Sequence, residues 1–325
     1  MQAIVRDKYG EADRVLRLEQ VDMPWPSPDE VLVRVHAAGV DRGAWHVMAG
    51  LPYPIRLAGF GVRAPKQRIL GTDFAGTVEA IGEDVTDLLP GDEVFGVADG
   101  AYAEHALARA DQLALKPVSL SFEQAAAVPT SACAALQAVR DHGHVKPGDS
   151  VLVIGASGGV GSFAVQIAKA FGATVTGVCS GAKFDMVRAL GADHVIDYRA
   201  HEIDDDGRIY DVILDIAGNR PLATLRRALT PKGTLVIVGG ETSGRWLGGS
   251  DRQLRAMALS PFVGQHLGTF IASETRDDLR TLADMIDGGR LIPVVDRIFP
   301  LAHVAQAIDD LQAGKVRGKA VITIP

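Results

Sequence analysis

The sequence predicts an α/β protein in which a mainly β module is followed by a doubly wound parallel sheet. Two observations carry this prediction. Residues 151–161, VLVIGASGGVG, join an apolar run without alternation to a glycine-rich turn, which is typical of a strand buried on both faces of a parallel sheet. From residue 122 onward strand patterns alternate with helical patterns, whereas short strands and tight turns fill the residues before it.

The first third of the chain has the pattern of a mainly β module. Short apolar runs bounded by Pro, Gly and Asp turns predict strands at 3–5, 16–21, 31–35, 74–81 and 101–107. A short helix is predicted over 41–48. The turn residues therefore favour sheet over helix for most of this part.

The remainder of the chain predicts strands that alternate with helices. Residues 122–143 are alanine-rich and helical, so a domain boundary falls near residue 120. Buried strands are predicted at 151–154, 174–178, 194–197, 212–216, 234–238 and 267–271. Residues 291–325 carry strand, helix and strand patterns that can return to the first module. We therefore predict a catalytic domain over 1–122, completed by 291–325, and a cofactor domain over 123–290.

The glycine-rich turn predicts a pocket for the pyrophosphate of a dinucleotide. Ala156-x-Gly158-x-x-Gly161 is the fingerprint with its first Gly replaced by Ala. Glycine lets the backbone approach a phosphate, and the free N–H groups of the following helix favour the anion. The predicted cofactor contacts are Ala156, Ser157, Gly158, Gly159, Val160 and Gly161. The alternative is a purely structural turn, since a tight strand-to-helix connection needs glycine for steric reasons.

Composition excludes several classes of function. With 325 residues and 47% hydrophobic content, the chain can bury a sizeable core. Its 33 basic and 40 acidic residues give a net charge of −7, which disfavours nucleic-acid and anionic membrane partners. Since no apolar run approaches a membrane span and MQAIVRDKYG has no signal-peptide core, we expect a cytoplasmic protein. Cys133 and Cys179 are isolated and are expected to be buried thiols.

Six segments, in order and spanning nearly the whole chain, resemble the medium-chain dehydrogenase/reductase superfamily, and within it the zinc-independent, quinone-oxidoreductase-like branch. They are AAGVD (37–41), GTDFAGTVEAIG (71–82), LLPGDEVFG (88–96), VLVIGASGGVGSFAVQIAKAFGATV (151–175), LGADHVIDY (190–198) and GKAVI (318–322). The resemblance implies a GroES-like catalytic domain, a Rossmann cofactor domain, a cleft between them and commonly a homodimer.

The same resemblance locates the metal positions of the zinc-dependent relatives. They have a catalytic Cys where this chain has Asp41, a His at Thr72, and a Cys or an acidic ligand at about Thr130. One Asp and two Thr do not form a zinc site, which prefers His and Cys. The cysteine-rich structural-zinc lobe is also missing from a chain with two isolated cysteines. We therefore predict no metal.

The end of the second buried strand predicts NADP(H) as the cofactor. An NAD-specific fold places an Asp or Glu there, and residues 177–183 contain none. Ser180 and Lys183 match the phosphate-binding positions of the family, and Tyr198 matches a tyrosine that closes the pocket; Gly239 and Gly240 match its approach to the nicotinamide. The structural alternative is that Lys183 begins a solvated helix, Tyr198 fills a gap and the two glycines form an ordinary turn, and the missing acid favours NADPH over it.

Without a Lewis acid, the easiest reaction is hydride delivery to an electrophilic carbon of a quinone or an α,β-unsaturated carbonyl. Asp41, Thr72 and Thr130 are the candidate catalytic residues; Asp41 and Thr130 are also predicted to contact the cofactor. Alternatively, Asp41 caps the helix that follows it and the threonines bond to local backbone. Trp45 and Tyr53 are expected to line an apolar substrate pocket, although core packing explains them equally well.

Two other functions remain open on the sequence. The chain can be an NADPH-binding sensor or structural protein with vestigial catalysis, because no residue in it is an indispensable catalyst. It can also be a zinc-free alcohol dehydrogenase that uses NADP. Steady-state oxidation of NADPH separates the first alternative from the reductase, because a binding protein gives no turnover with any electrophile. Oxidation of simple alcohols with NADP identifies the second alternative.

Overall fold

The computed structural model describes residues 1–205, 207–218, 220–239, 244–246 and 248–325. The chain forms two compact units. Unit 1 contains Met1–Cys133 and Ser273–Pro325, and unit 2 contains Ala134–Ala272.

The strands and helices follow one another along both units. The strands are β1 (Gln2–Val5), β2 (Arg17–Gln20), β3 (Glu30–Val40), β4 (Asp73–Ile81), β5 (Glu93–Val97), β6 (His105–Arg109), β7 (Leu113–Leu115), β8 (Ser150–Ile154), β9 (Thr174–Cys179), β10 (His194–Asp197), β11 (Tyr210–Asp215), β12 (Leu229–Ile237), β13 (His266–Thr269), β14 (Val295–Pro300) and β15 (Lys319–Thr323). The helices are α1 (Ala12–Val15), α2 (Arg42–Ala49), α3 (Phe122–Ala126), α4 (Pro129–Gln137), α5 (Gly159–Ala170), α6 (Phe184–Ala189), α7 (Leu222–Arg227), α8 (Ser250–Leu259), α9 (Arg276–Asp287) and α10 (Val304–Gln312).

Unit 2 is the doubly wound parallel sheet that the sequence predicts. Its six strands run in the order β10-β9-β8-β11-β12-β13, and every adjacent pair is parallel. The apolar run of β8 lies next to the centre of the sheet and is buried, which explains its lack of alternation. The strand order turns back on itself between β8 and β11, and ligands bind at such a switch point in open α/β sheets.

Unit 1 is the mainly β module with GroES-like architecture. Its larger sheet has the order β14-β15-β3-β4-β5-β7, with β6 also paired to β3, and β1 pairs with β2 in a separate two-stranded sheet. The end of the chain returns to this unit as the sequence predicts, because β15 pairs antiparallel with β3, from Ala320 opposite Val40 to Thr323 opposite Ala37. This return brings Lys319 into the interior of unit 1, where it is 2% exposed.

The limits of the units differ from the predicted domain limits at two places. Residues 123–133 and 273–290 belong to unit 1, although the sequence prediction placed them in the cofactor domain. The helical stretch 122–143 breaks between α3 and α4, where Pro129 begins the second helix. Arg276, the first residue of α9, donates from Nε to the carbonyl oxygen of Leu113 at 3.2 Å, which fastens this helix to β7.

Two further expectations concern the cysteines and the membrane. Cys133 and Cys179 are buried thiols, as predicted from their isolation in the sequence. Within the described ranges, every helix is too short or too polar to cross a membrane.

Candidate functional site

The glycine-rich turn in unit 2 presents an uncapped helix end. The N–H groups of Gly155 and Ala156 donate to the carbonyl oxygen of Val178, at 3.1 and 3.0 Å, which fixes the turn to β9. Helix α5 begins after Gly158, and no side chain caps its first turn. The first N–H groups of an α-helix have no partner within the helix, and together with the helix dipole they favour an anion.

Two glycines of this turn differ in the space around them. A Cβ on Gly161 would lie 2.1 Å from the carbonyl oxygen of Gly155, so this glycine is required for close packing of the helix on the turn. Among the residues that the structure describes, a Cβ on Gly158 would meet only the carbonyl oxygen of Gly155, at 3.5 Å, and would otherwise point into open space. Open space beside uncapped N–H donors fits the pyrophosphate of a dinucleotide.

The other predicted residues of the turn have mixed roles. Ala156 is fully buried, and a Cβ on Gly177 would lie 3.1 Å from its methyl group, so its side chain packs against β9. Ser157 is 8% exposed, whereas Gly159 and Val160 are half-buried at the start of α5. Their contact with a cofactor stays a prediction.

The predicted phosphate pocket lies at the carboxyl ends of β9 and β10. Ser180 directly precedes the short 3₁₀ turn Gly181–Lys183, and the N–H of Lys183 donates to the carbonyl oxygen of Ser180 at 2.9 Å. Tyr198 is 50% exposed, and the guanidinium of Arg199 lies 5.6 Å from its ring centroid. Ser180, Lys183 and Tyr198 therefore all follow the carboxyl ends of two adjacent strands, and their contact with a phosphate stays a prediction.

An acidic residue that the sequence reasoning missed also reaches this edge. Asp197 ends β10, and its two carboxylate oxygens accept the backbone N–H groups of Gly181 and Arg199, each at 3.0 Å. The prediction of NADP(H) used only residues 177–183, at the end of β9. Parallel pairing of Asp197 with Cys179 brings in this carboxylate from the neighbouring strand.

Gly239, two residues after β12, closely approaches the backbone that follows the neighbouring strand β11. Its N–H donates to the carbonyl oxygen of Asp215 at 3.3 Å, and a Cβ there would lie 2.1 Å from the carbonyl oxygen of Ile216. Asp215 is itself buried and paired with Arg252. Burial raises the pKa of Asp215, against the opposing charge of Arg252. Gly240 lies outside the described residues.

In unit 1, Asp41 caps α2. Its Oδ1 accepts the N–H of Ala44 at 2.8 Å, so the capping role considered from the sequence is present. Burial, followed by the nearby charge of Asp73, raises the pKa of this carboxyl, and Lys319 opposes that rise. A role of Asp41 toward a cofactor or a substrate stays a prediction.

Thr130 belongs to a buried polar cluster that the sequence reasoning did not assemble. Its N–H and its hydroxyl both donate to Oδ1 of Asp73, at 3.1 and 2.5 Å. The ammonium of Lys319 lies 3.1 Å from the other oxygen of Asp73 and 3.1 Å from Oγ of Ser131. Asp73 is fully buried, so its charge is balanced by a cation and two further donors. Thr72, the residue before Asp73, is half-buried.

Glu274 is the second residue that the sequence reasoning missed. It is half-buried, and its carboxyl is hydrogen-bonded to the side chain of Thr130. Burial, followed by the charge of Asp73, raises the pKa of Glu274 to about 7. Nothing in the stretch SETRDD distinguishes Glu274 from Asp277 and Asp278, because its surroundings are formed only in the fold.

The predicted pocket residues pack within unit 1. Trp45 lies against the core of this unit and meets His46 edge-on, at 4.9 Å between ring centroids. Tyr53 lies 5.0 Å from the guanidinium of Arg56, whose Nε donates to the carbonyl oxygen of Gly50 at 2.9 Å. These contacts support core packing for Trp45 and cation–π packing for Tyr53, and leave substrate contact as a prediction.

The donors available for a metal are few. In the part of the chain that the structure describes, no group of three or more His, Cys, Asp or Glu side chains is arranged to hold a metal ion. At the three positions compared above with the zinc ligands of zinc-dependent relatives stand a helix-capping carboxylate, Asp41, and the hydroxyl groups of Thr72 and Thr130. This donor set does not fit zinc, which prefers imidazole and thiolate ligands.

Two family profiles match the chain. One, described as an alcohol dehydrogenase GroES-like domain, matches residues 27–118, and the other, described as a zinc-binding dehydrogenase, matches residues 190–322. Together they cover parts of both units.

Individual relatives match over the length of the chain. Human "NAD(P)H oxidoreductase RTN4IP1, mitochondrial" is 33% identical, over 100% of this chain and 89% of the relative. A chloroplastic quinone-oxidoreductase homolog from Spinacia oleracea is 29% identical, over 99% of this chain and 98% of the relative. Among solved structures, Escherichia coli quinone oxidoreductase complexed with NADPH superposes with a TM-score of 0.85 at 25% identity, covering 100% of both chains.

Proposed function

Because the chain belongs to the medium-chain dehydrogenase/reductase superfamily, in its quinone-oxidoreductase-like branch, we propose that it is a zinc-independent, NADPH-dependent reductase of quinones or α,β-unsaturated carbonyls. At the coarser level it is a nicotinamide-dependent oxidoreductase. The observation that carries the proposal is the uncapped N-terminus of α5 beside the open space at Gly158.

NADPH is favoured over NADH by the groups at the ends of β9 and β10. A hydroxyl and an ammonium, from Ser180 and Lys183, suit the additional phosphate of NADPH, whereas a carboxylate would repel it. Asp197 supplies a carboxylate nearby, but both of its oxygens already accept backbone N–H groups. We therefore assign Asp197 to fixing the turn rather than to binding a ribose.

Zinc independence is supported by the chemistry of the cluster in unit 1. Thr130 and Asp41 engage in hydrogen bonds to Asp73 and to the backbone of α2, and Lys319 supplies a fixed positive charge 3.1 Å from Asp73. When bound, NADPH supplies the hydride. The residues of the chain then have three tasks, which are to orient the reactants, to exclude water and to provide a proton.

The proposal is tested on metal-free purified protein. Fluorescence titration with NADPH and NADH, followed by steady-state oxidation of NADPH with a benzoquinone and with a cyclic enone, should give tight NADPH binding and turnover. Gly158→Val, as the matched variant, should abolish both. Binding without turnover of any electrophile would favour the sensor or structural role. Oxidation of simple alcohols with NADP would favour the zinc-free alcohol dehydrogenase.

We further propose a homodimer located in the cytoplasm. The support is the family resemblance for the dimer, and for the location the presence of only two cysteines, both buried, which is typical of a reducing compartment. Light scattering on the purified protein tests the first, and expression in the source cell with a fluorescent fusion at the end of the chain tests the second.

A further inference from the structure

Arg252, on helix α8 of unit 2, joins three backbone segments at the carboxyl edge of the parallel sheet. Its Nη1 donates to the carboxylate of Asp215 and, at 2.9 Å, to the carbonyl oxygen of Arg220. Its Nη2 lies 3.5 Å from the carbonyl oxygen of Gly239. Asp215 ends β11, Arg220 lies in the loop before α7, and Gly239 follows β12. One side chain therefore connects the ends of two adjacent strands and the approach to a helix.

The ion pair between Arg252 and Asp215 fixes geometry more than it adds stability. Asp215 is fully buried, and the side chain of Arg252 is 13% exposed. Because both charges are taken out of water, the cost of desolvation offsets much of their attraction. A guanidinium is planar, however, and its N–H donors point in fixed directions. Arg252 therefore sets the distances between the groups that accept its hydrogen bonds.

Asp215 extends the same network toward the glycine-rich turn. Its other carboxylate oxygen accepts the N–H of Gly218 at 3.2 Å, which shapes the loop after β11. In that loop, the two residues after Asp215 donate their N–H groups to the carbonyl oxygen of Ile154, at 3.1 and 3.2 Å. Ile154 ends β8 and directly precedes the glycine-rich turn. A continuous set of contacts within unit 2 therefore runs from this turn to Gly239.

The order of the strands assigns the two ends of this network to different halves of a dinucleotide. In an open α/β sheet a dinucleotide lies across the carboxyl edge at the switch point, with one half on either side. The switch point lies between β8 and β11, and the proposed pocket for the additional phosphate, at Ser180 and Lys183, follows β9. The nicotinamide half then belongs on the other side, at the ends of β11 and β12, where Asp215 and Gly239 lie.

We propose that Arg252 is a positioning residue for the nicotinamide half of the cofactor. Through Asp215 and Gly239 it holds the backbone at the ends of β11 and β12 at a fixed distance from the turn that receives the pyrophosphate. This assignment rests on the proposed function and deepens it, because each half of the cofactor then depends on different residues. Changes at Arg252 should weaken recognition of the nicotinamide half and spare the adenosine half.

Calorimetric titration of the full chain with two ligands tests this separation. One ligand is NADPH, and the other is adenosine 2′,5′-bisphosphate, which carries the additional phosphate and lacks the nicotinamide half. Removing Arg252 alone would leave Asp215 as an unpaired buried charge, so two variants that avoid this are used. Arg252→Lys keeps the charge without the planar fork of donors, and Arg252→Met combined with Asp215→Asn removes both charges.

Both variants should bind NADPH at least about tenfold more weakly than wild type, and the bisphosphate within about twofold of wild type. The matched control is Arg255→Met, on the same helix, whose side chain is 77% exposed and which should bind both ligands as wild type does. Wild-type affinity for NADPH in either Arg252 variant would overturn the assignment. Equal losses of the two ligands would also overturn it, because a general disturbance of unit 2 affects the adenosine half as well.

The same titrations separate this proposal from the proposed function. If the wild-type protein does not bind NADPH, the proposed function fails, and the role of Arg252 toward the cofactor fails with it. If the wild-type protein binds NADPH and the bisphosphate, and both Arg252 variants bind them equally well, only the role of Arg252 is refuted.

Discussion

Replacing Glu274 with Gln should stabilise the protein at alkaline pH and have little effect near pH 4. The environment of Glu274 raises its pKa from 4.5 to about 7. At about 1.36 kcal/mol for each pH unit between those two values, ionised Glu274 destabilises the folded state by about 3 kcal/mol. Gln has the same shape and no charge, so the variant does not carry this cost.

The sign follows from where the proton is bound. Below pH 4.5 the folded and unfolded states both carry the proton on Glu274, and the variant gains little. Between pH 4.5 and 7 only the folded wild-type protein retains it, so its free energy of unfolding falls as the pH rises. Above pH 7 the full difference of about 3 kcal/mol between Glu274→Gln and wild type should be reached.

Urea unfolding at several pH values between 4.5 and 8.5, followed by circular dichroism, measures this difference. The quantity compared is the free energy of unfolding of Glu274→Gln minus that of wild type, with Glu83→Gln as the exposed-carboxylate control. The difference should grow with pH for Glu274→Gln and stay near zero for Glu83→Gln. A difference for Glu274→Gln that does not change with pH would refute the reasoning, because a lost contact alone has no such dependence.

Further substitutions test three other parts of the structure, which are the glycine-rich turn, the predicted phosphate pocket and the buried ion pair. Gly158→Val should abolish binding of NADPH and NADH in a fluorescence titration without unfolding the protein. Gly161→Ala should lower the free energy of unfolding in urea by roughly 1–3 kcal/mol, since there is no room for a Cβ at position 161. Lys183→Ala should weaken NADPH at least about tenfold more than NADH in the same titration, since only NADPH carries the extra phosphate. Lys319→Met should lower the free energy of unfolding by about 3–5 kcal/mol, and Asp73→Asn in the same chain should recover part of it.

Each of these has an outcome that contradicts it. Unchanged cofactor binding in folded Gly158→Val would make the glycine turn purely structural. Equal losses of NADPH and NADH in Lys183→Ala would remove that residue from the phosphate pocket. If the double variant of Asp73 and Lys319 is no more stable than Lys319→Met, the buried charge on Asp73 is not what the ammonium balances.

The sequence predicted the fold well because the relevant signals are local. An unbroken apolar run is enough to indicate a strand buried on both faces, and β8 lies near the centre of the parallel sheet. The glycine spacing after it indicates the uncapped start of α5 for the same reason. The domain limits were less predictable, since α9 joins unit 1 through contacts such as that of Arg276 with Leu113, far away in the sequence.

The cluster around Thr130 could not be predicted in this way. Asp73 and Lys319 are 246 positions apart, and both lie in strands where the surrounding pattern is apolar. Glu274 stands in an ordinary polar stretch before a helix. Thr130 alone was identified, through the family resemblance, and its partners emerge only when β4, β15 and the start of α4 are brought together.

Two other titratable groups of unit 1, Tyr102 and His46, are poor proton donors at neutral pH. Tyr102 is fully buried, and its hydroxyl donates to the carbonyl oxygen of Gly39 at 3.1 Å. Burial, followed by the charges of Asp41 and Asp73, raises the pKa of Tyr102 well above its usual value. It is too weak an acid to donate at neutral pH.

His46, which lies on α2, is a poorer candidate for a second reason. Its Nδ1 lies 2.8 Å from the carbonyl oxygen of Leu51, and burial lowers its pKa, so the imidazole is neutral at pH 7 and its Nδ1–H is already donated. Glu274 differs from both, since its pKa of about 7 lets it hold a proton and release it in the same pH range.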